Sequence, residues 1–122
     1  IFTNLVKKVY ICKSCSMNIY NKSSIIEFYK KYNDAKLPLQ IWFEEVSSRR
    51  WKSPNQLKLL YGGNIRILKN SRAVFNIKGN DYRIVVAINY ESGWVFIKFI
   101  GTHAAYDRID ANLIDLYKMS KK

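Results

Sequence analysis

The chain has 122 residues, 48% of them hydrophobic and 15% aromatic, which suffices for one packed domain and excludes wholesale disorder. Twenty-one Lys and Arg against nine Asp and Glu leave a net charge of +12, so an anionic partner is expected: nucleic acid, an acidic protein or a lipid surface. No apolar run reaches the roughly 18 residues that a membrane-spanning helix needs.

The opening stretch, "IFTNLVKKVYICKSCS", begins at Ile1 and has no small-residue cleavage pattern behind a long apolar run, so it does not read as a secretory signal. Residues 1–16 read as an N-terminal extension ahead of the domain, either native or an artefact. A single domain is expected over 17–122, starting at Met17. Cys12 and Cys15 form one C-x-x-C pair, but a structural zinc site needs about four ligands and no second pair exists. The two are therefore read as incidental thiols, with no metal and no cofactor. Cysteine usage this sparse fits a reducing cytoplasm.

"NIY" after Met17 reads as a short strand. "SSIIEFYKKY" then opens with Ser24 and carries Glu27 three residues on, a capping box, with Ile25, Phe28, Tyr29 and Tyr32 at helical spacing. Leu39, Trp42, Phe43 and Val46 define a second amphipathic helix that tolerates Pro38 in its first turn. "KSPNQLKLLYGGN", broken by Pro54 and Gly62-Gly63, reads as a loop with one helical turn at most.

The period then drops to two. "IRIL" is a short strand, followed by a meander of "SRAVFNIKG", "DYRIVVAINY" and "WVFIKFI", with turns at Gly79-Asn80 and Glu91-Ser92-Gly93. Past His103, the residues Tyr106, Ile109, Leu113 and Leu116 recur at helical spacing and predict a C-terminal helix. The expected fold is α+β: two N-terminal helices, an antiparallel sheet of three to four strands and a C-terminal helix, with the helices on one sheet face.

Alternation sharpens the reading. With Phe75 and Ile77 inward, Ile84, Val86, Ile88, Val95, Ile97 and Phe99 also point inward. Asn76, Lys78, Arg83 and Lys98 then share the outward face, with no acidic residue interleaved. A turn at Gly79-Asn80 pairs Phe75 with Ile84 and Asn76 with Arg83, whereas a slide by one residue pairs Ile77 with Ile84. A turn at Glu91-Ser92 pairs Val86 with Ile97 and Val85 with Lys98. Such a cationic face suits single-stranded RNA. RNA supplies its own 2′-hydroxyl nucleophile, so cleavage needs a base, cations for the phosphorane and an acid for the leaving oxygen. Lys78, Arg83 and Lys98 are the candidate cations. His103, the only histidine in the chain, and Tyr106 are the candidate proton-transfer groups. The competing reading makes His103 a structural residue at the seam between strand and helix, where Gly101 lets the backbone turn.

Three stretches, "WKSPNQLK", "SRAVFNIKGNDYRIVVAINY" and "VFIKFIGTHAAYDRIDA", resemble the HigB toxins of bacterial type II toxin–antitoxin systems, within the RelE-like superfamily. The resemblance covers about residues 17–115 and departs at Ala105, where the family often has Glu, and at Ser71. It implies a RelE-like fold and a metal-independent mRNA interferase that cleaves message on the ribosome. It also implies a HigA-type antitoxin with a helix-turn-helix domain, through which alone operator DNA is reached. Exposed apolar residues on the sheet and helix edges would seat that antitoxin. The resemblance carries Lys78, Arg83, His103 and Tyr106 as catalytic residues. Asn76, Lys98, Arg72 and Arg108 are the RNA-binding set. The alternative function is a non-catalytic RNA- or ribosome-binding module. A DNA-binding regulator is disfavoured because no helix-turn-helix is visible in this chain.

Overall fold

The computed structural model describes residues 16–116. The expectations about residues 1–15, including Cys12 and Cys15, lie outside them. Strand β1 (Asn18–Tyr20) leads into helix α1 (Lys22–Lys31), a 3-10 turn at Asn33–Ala35 and helix α2 (Lys36–Ser47). Helix α3 (Pro54–Tyr61) comes next. Strands β2 (Ile65–Ile67), β3 (Arg72–Ile77), β4 (Tyr82–Asn89) and β5 (Trp94–Thr102) then lead to a one-turn helix, α4 (His103–Tyr106). The five strands form one sheet in the order β1-β5-β4-β3-β2.

The α+β architecture matches the expectation, with four corrections. The sheet is not purely antiparallel, because β1 adds a fifth strand that runs parallel to β5. Helix α1 begins at Lys22, so Ser24 lies inside its first turn, where its buried hydroxyl donates to the Asn21 carbonyl at 2.6 Å. "KSPNQLKLLY" is a helix of two turns: Ser53 caps it by accepting from the Gln56 N–H, and Pro54 occupies the first helical position. The C-terminal helix lasts one turn only. Beyond Tyr106 the chain continues in turns, with Leu113 and Leu116 exposed. Of that spacing, Tyr106 and Ile109 pack on the sheet, whereas Leu113 and Leu116 do not.

The main core lies between the helices and one face of the sheet. Leu39, Trp42 and Val46 of α2, Leu57 of α3 and Ile25 of α1 pack on Ala73, Phe75, Ile77, Ile84, Val86, Ile88, Val95 and Ile97. Phe75 is its aromatic hub. Trp51, fully buried, stacks on it at 5.6 Å, and Trp42 and Tyr61 meet its edge at 5.5 and 5.3 Å. Met17 joins this core, its sulfur accepting from the Trp51 backbone N–H.

Of the two registers open to the β3–β4 hairpin, the one with the Gly79-Asn80 turn is adopted: Phe75 faces Ile84 and Asn76 faces Arg83, around a turn closed by Asp81 N–H donating to the Lys78 carbonyl. The β4–β5 pairing starts as expected with Val86 opposite Ile97, then shifts, so that Val85 faces Phe99 rather than Lys98. Lys98 is the extra residue of a β-bulge, a device that re-aims side chains and recurs beside active sites. Phe99 consequently leaves the helix-covered face. It forms a second, smaller core with Val74, Val85, Tyr106 and Ala111, roofed by the segment from Ala105 to Ile114. The outward sheet face is therefore not open across its middle.

Gly101 is needed at the same place. It lies in β5 opposite Arg83, and a Cβ there would come within 2.4 Å of the Phe99 ring. Its lack of a side chain makes room for that ring, so the expected backbone turn is not its reason. Gly101→Ala is expected to destabilise the fold by ~1–3 kcal/mol through overpacking. Denaturant unfolding checks this, and an unchanged midpoint would mean that the second core is loose enough to absorb a methyl group.

A polar junction ties the Asn33–Ala35 turn to the sheet. The Tyr82 hydroxyl donates to Asp34, whose other oxygen lies 3.5 Å from Lys78 Nζ. The hydrogen bond from Tyr82, more than the ammonium of Lys78, holds Asp34 below its ordinary 3.8, and the same bond pushes Tyr82 from 10.0 up to about 12. The lowered carboxyl contributes stability that is present above pH 3.8 and is lost as pH falls through its depressed value. The raised phenol contributes stability that is present below pH 10.0 and is lost on the way to about 12. Asp34→Asn is expected to flatten thermal stability against pH in both windows. Melting curves from pH 2 to 5 and from pH 9 to 12 check it, and unchanged slopes would exclude the junction as their source.

Candidate active site

Strand β4 brings Arg83 out on the face opposite the main core, beside Asn76 of β3 and the bare backbone of Gly101. Strand β2 brings Arg66 to the same face, opposite Val74. Between these two arginines stands Tyr106. Thr102 caps α4 by accepting from the Ala105 N–H at 3.1 Å, and that single turn folds Tyr106 back over the sheet. Its ring is buried against Phe99 at a centroid distance of 6.5 Å, with the guanidinium carbon of Arg83 at 5.1 Å above it. Its oxygen lies 3.5 Å from Arg66 Nη1. Tyr106 thus faces both core and site.

Arg83 is half-buried. Its Nη2 donates to the Asn80 amide oxygen at 3.1 Å, while its buried Nε has no partner. A buried donor left unpaired costs about 1–3 kcal/mol, which an acceptor arriving at the site would offset. His103, three residues before Tyr106, shares its side of the turn and is exposed. His103 Nδ1 is 3.1 Å from the Asp107 carboxylate, and its backbone N–H donates to the Asp81 carbonyl. A carboxylate at Nδ1 keeps the proton there in the neutral ring and leaves Nε2 as the lone-pair nitrogen facing solvent. A cleft of about 390 Å³ runs beside Tyr106, lined by Arg66, Leu68, Asp107, Ile109, Asp110 and Asn112.

The structure corrects the picture of a purely cationic face. Lys78, in the left-handed region at φ 53, lies 3.0 Å from Asp81 and 3.5 Å from Asp34. Hydrogen bonding to Asp81, then to Asp34, raises its pKa. Lys98 is paired with Asp115 at 3.3 Å. Arg72 is not brought to this end at all: its Nη1 donates to the carbonyls of Ala111 and Ile114 at 3.0 and 2.7 Å, fastening the C-terminal segment across the sheet. Arg108 is exposed just past α4. Alternation in "IRIL", with one cation between two inward isoleucines, was the signal for Arg66 that sequence reading passed over. Asp107 and Asn80 gave no such signal. Among the described residues no group of three His, Cys, Asp or Glu stands close enough to hold a metal ion, and no helix is long and apolar enough to cross a membrane.

Two comparisons bear on this site. A protein of Escherichia coli named mRNA interferase HigB is 25% identical over 95 residues, covering 76% of this chain and 91% of that protein. One of the same name from Shigella flexneri is 27% identical over 93 residues, covering 75% and 88%. Residues 35–109, which span the sheet from β2 to β5, Arg66, Arg83 and all of α4, match the family described as HigB_toxin, the RelE-like toxic component of a toxin–antitoxin system. The chain belongs to that family of RelE-like HigB toxins.

Proposed function

We propose that this toxin is an endoribonuclease that cleaves messenger RNA on the ribosome in the cytoplasm, without a metal ion, and is neutralised by a HigA-type helix-turn-helix antitoxin. Operator DNA would be reached only through that antitoxin. The name of the relatives, mRNA interferase, supports the reaction class. The observation that carries the reading is the phenol of Tyr106 set between two guanidiniums, on the same helical turn as the His103–Asp107 pair.

The chemistry arises from these groups. Nε2 of His103 takes the proton from a 2′-hydroxyl, whose oxygen attacks the adjacent phosphorus. The bond to the 5′-oxygen breaks, leaving a 2′,3′-cyclic phosphate, and the Tyr106 hydroxyl supplies the proton to the departing oxygen. Arg66 Nη1 donates to the tyrosine oxygen and so leaves the tyrosine's own hydrogen free to point at the leaving group. Arg83, with its unpaired Nε, meets the charge that develops on the phosphorane. Lys78, Asn76, Lys98 and Arg108 serve at the margin. The two lysines are the weaker contributors, since carboxylates share their charge.

Arg83→Ala is expected to lose about 2.7–4 kcal/mol of transition-state stabilisation, the scale of one oxyanion donor. His103→Ala and Tyr106→Phe are each expected to slow cleavage roughly 10²- to 10⁴-fold. Single-turnover cleavage on programmed ribosomes measures all three, alongside thermal melts. His103→Ala should melt like the wild type because its ring is exposed. Wild-type cleavage together with an early melt would make the histidine structural. Growth arrest by the intact toxin with no cut message would replace the nuclease by a binding module.

A further inference from the structure

The sheet face that bears Arg83 continues past the C-terminal segment to a second exposed surface. Arg83, Val85, Ala87 and Asn89 succeed one another on one side of β4, so they share a face over roughly 20 Å. At the far end Phe96 lies opposite Ala87 and Trp94 opposite Asn89, while β1 places Tyr20 beside Phe96. Trp94 and Phe96 are stacked, with centroids 6.1 Å apart and planes 22° apart, and Tyr20 lies 5.9 Å from Phe96. Lys98 Nζ is 5.9 Å from the Phe96 ring. Trp94 is 37% exposed, whereas Trp42 and Trp51 are 6% and 0% exposed.

We propose that Tyr20, Trp94 and Phe96 form a second contact for single-stranded RNA, on which unpaired bases of the strand stack while the scissile phosphate lies at Arg83. This rests on the RNA-cleaving reading, and it adds a site to it. Aromatic faces flanked by a cation are what sequence-tolerant single-strand binding uses. The small side chain of Ala87 leaves room beside Phe96 for a ring laid on the sheet. Asn18 and Asn89 stand opposite Trp94 on the neighbouring strands, the Asn89 amide oxygen accepting from the Ser92 N–H. The net charge of +12 favours a polyanion over an apolar peptide. The platform also lies on the same face as Arg83, so one strand is able to reach both.

Trp94 is itself the probe. The full chain is titrated with a single-stranded 2′-O-methyl oligouridylate, which cannot be cleaved because its nucleophile is blocked. Binding is followed by the anisotropy of a label on the strand, and the Trp94 share of the emission, taken as the difference from Trp94→Phe because Trp42 and Trp51 also emit, is expected to quench as the strand binds. Trp94→Ala should weaken binding about 5- to 150-fold, the equivalent of 1–3 kcal/mol per stacked base, and Trp94→Phe should largely restore it. Duplex RNA of equal length should bind without quenching. The proposal is overturned by unquenched emission with undiminished binding of Trp94→Ala, or by equal quenching with duplex. Quenching that appears only after removal of residues 1–15 also overturns it, since the chain's own segment then covers the platform. Because the probe is not cleaved, loss of the nuclease reading would appear separately, as quenching by a wild-type protein that leaves message intact.

Discussion

The site depends on a one-residue irregularity. Inserting Lys98 into β5 moves Phe99 from the helix-covered face of the sheet to the other side. A phenylalanine there, opposite Val85 and beside Val74, creates apolar surface that water penalises at roughly 25 cal/mol per Å². Tyr106, Ala111 and the turns around them cover that surface. Gly101 leaves the space that the Phe99 ring requires. Without the bulge the alternation would continue, and α4 would have nothing to fold onto. The placement of Tyr106 under Arg83 and beside Arg66 is thus a packing consequence before it is a chemical one.

Charge is organised around this packing rather than spread evenly. The net charge of +12 suggests many interchangeable cations, yet carboxylates from separate elements have selected among them. Asp81 and Asp34 hold Lys78, and Asp115 holds Lys98. Arg72 is committed to two backbone carbonyls. The exposed pairs at Lys78 contribute little stability, commonly about 0–1 kcal/mol. Their larger effect is to fix where each side chain points. The guanidinium of Arg83, by contrast, keeps a buried donor unpaired, at the position proposed for the phosphate.

The two faces of the sheet have divided the work. The helix-covered face holds the large core, with the aromatic hub at Phe75, and carries most of the stability. The other face has a small core under a segment without long helices, fastened by Arg72, by the Lys98–Asp115 pair and by Leu116 N–H on the Lys98 carbonyl. Segments with few buried contacts open at lower free energy than the global fold. The proposed chemistry lies on that thinner side, away from the main core.

Much of this molecule was legible in its sequence, and for a local reason. The α2 spacing Leu39, Trp42, Val46, the period-two strands and the turn near Gly79-Asn80 each depend on residues a few positions apart, which narrowed the hairpin to two registers, one of them Asn76 against Arg83. His103 and Tyr106 were likewise readable as groups at the start of a helix, though not that the helix ends at Tyr106. What tertiary structure alone decided was set by partners distant in the chain. The bulge at Lys98 answers to β4, and no periodicity within "WVFIKFI" announces it. The helical spacing of Ile109, Leu113 and Leu116 failed because a one-turn helix had only the small Phe99 core to meet. Arg66 joined Tyr106 across 40 residues of sequence, and the acids that hold Lys78 and Lys98 come from a turn, a hairpin and the C-terminal segment. Periodicity records which way a side chain faces. Which groups then meet is a matter of long-range packing, and it was settled only when the sheet closed and the C-terminal segment crossed it.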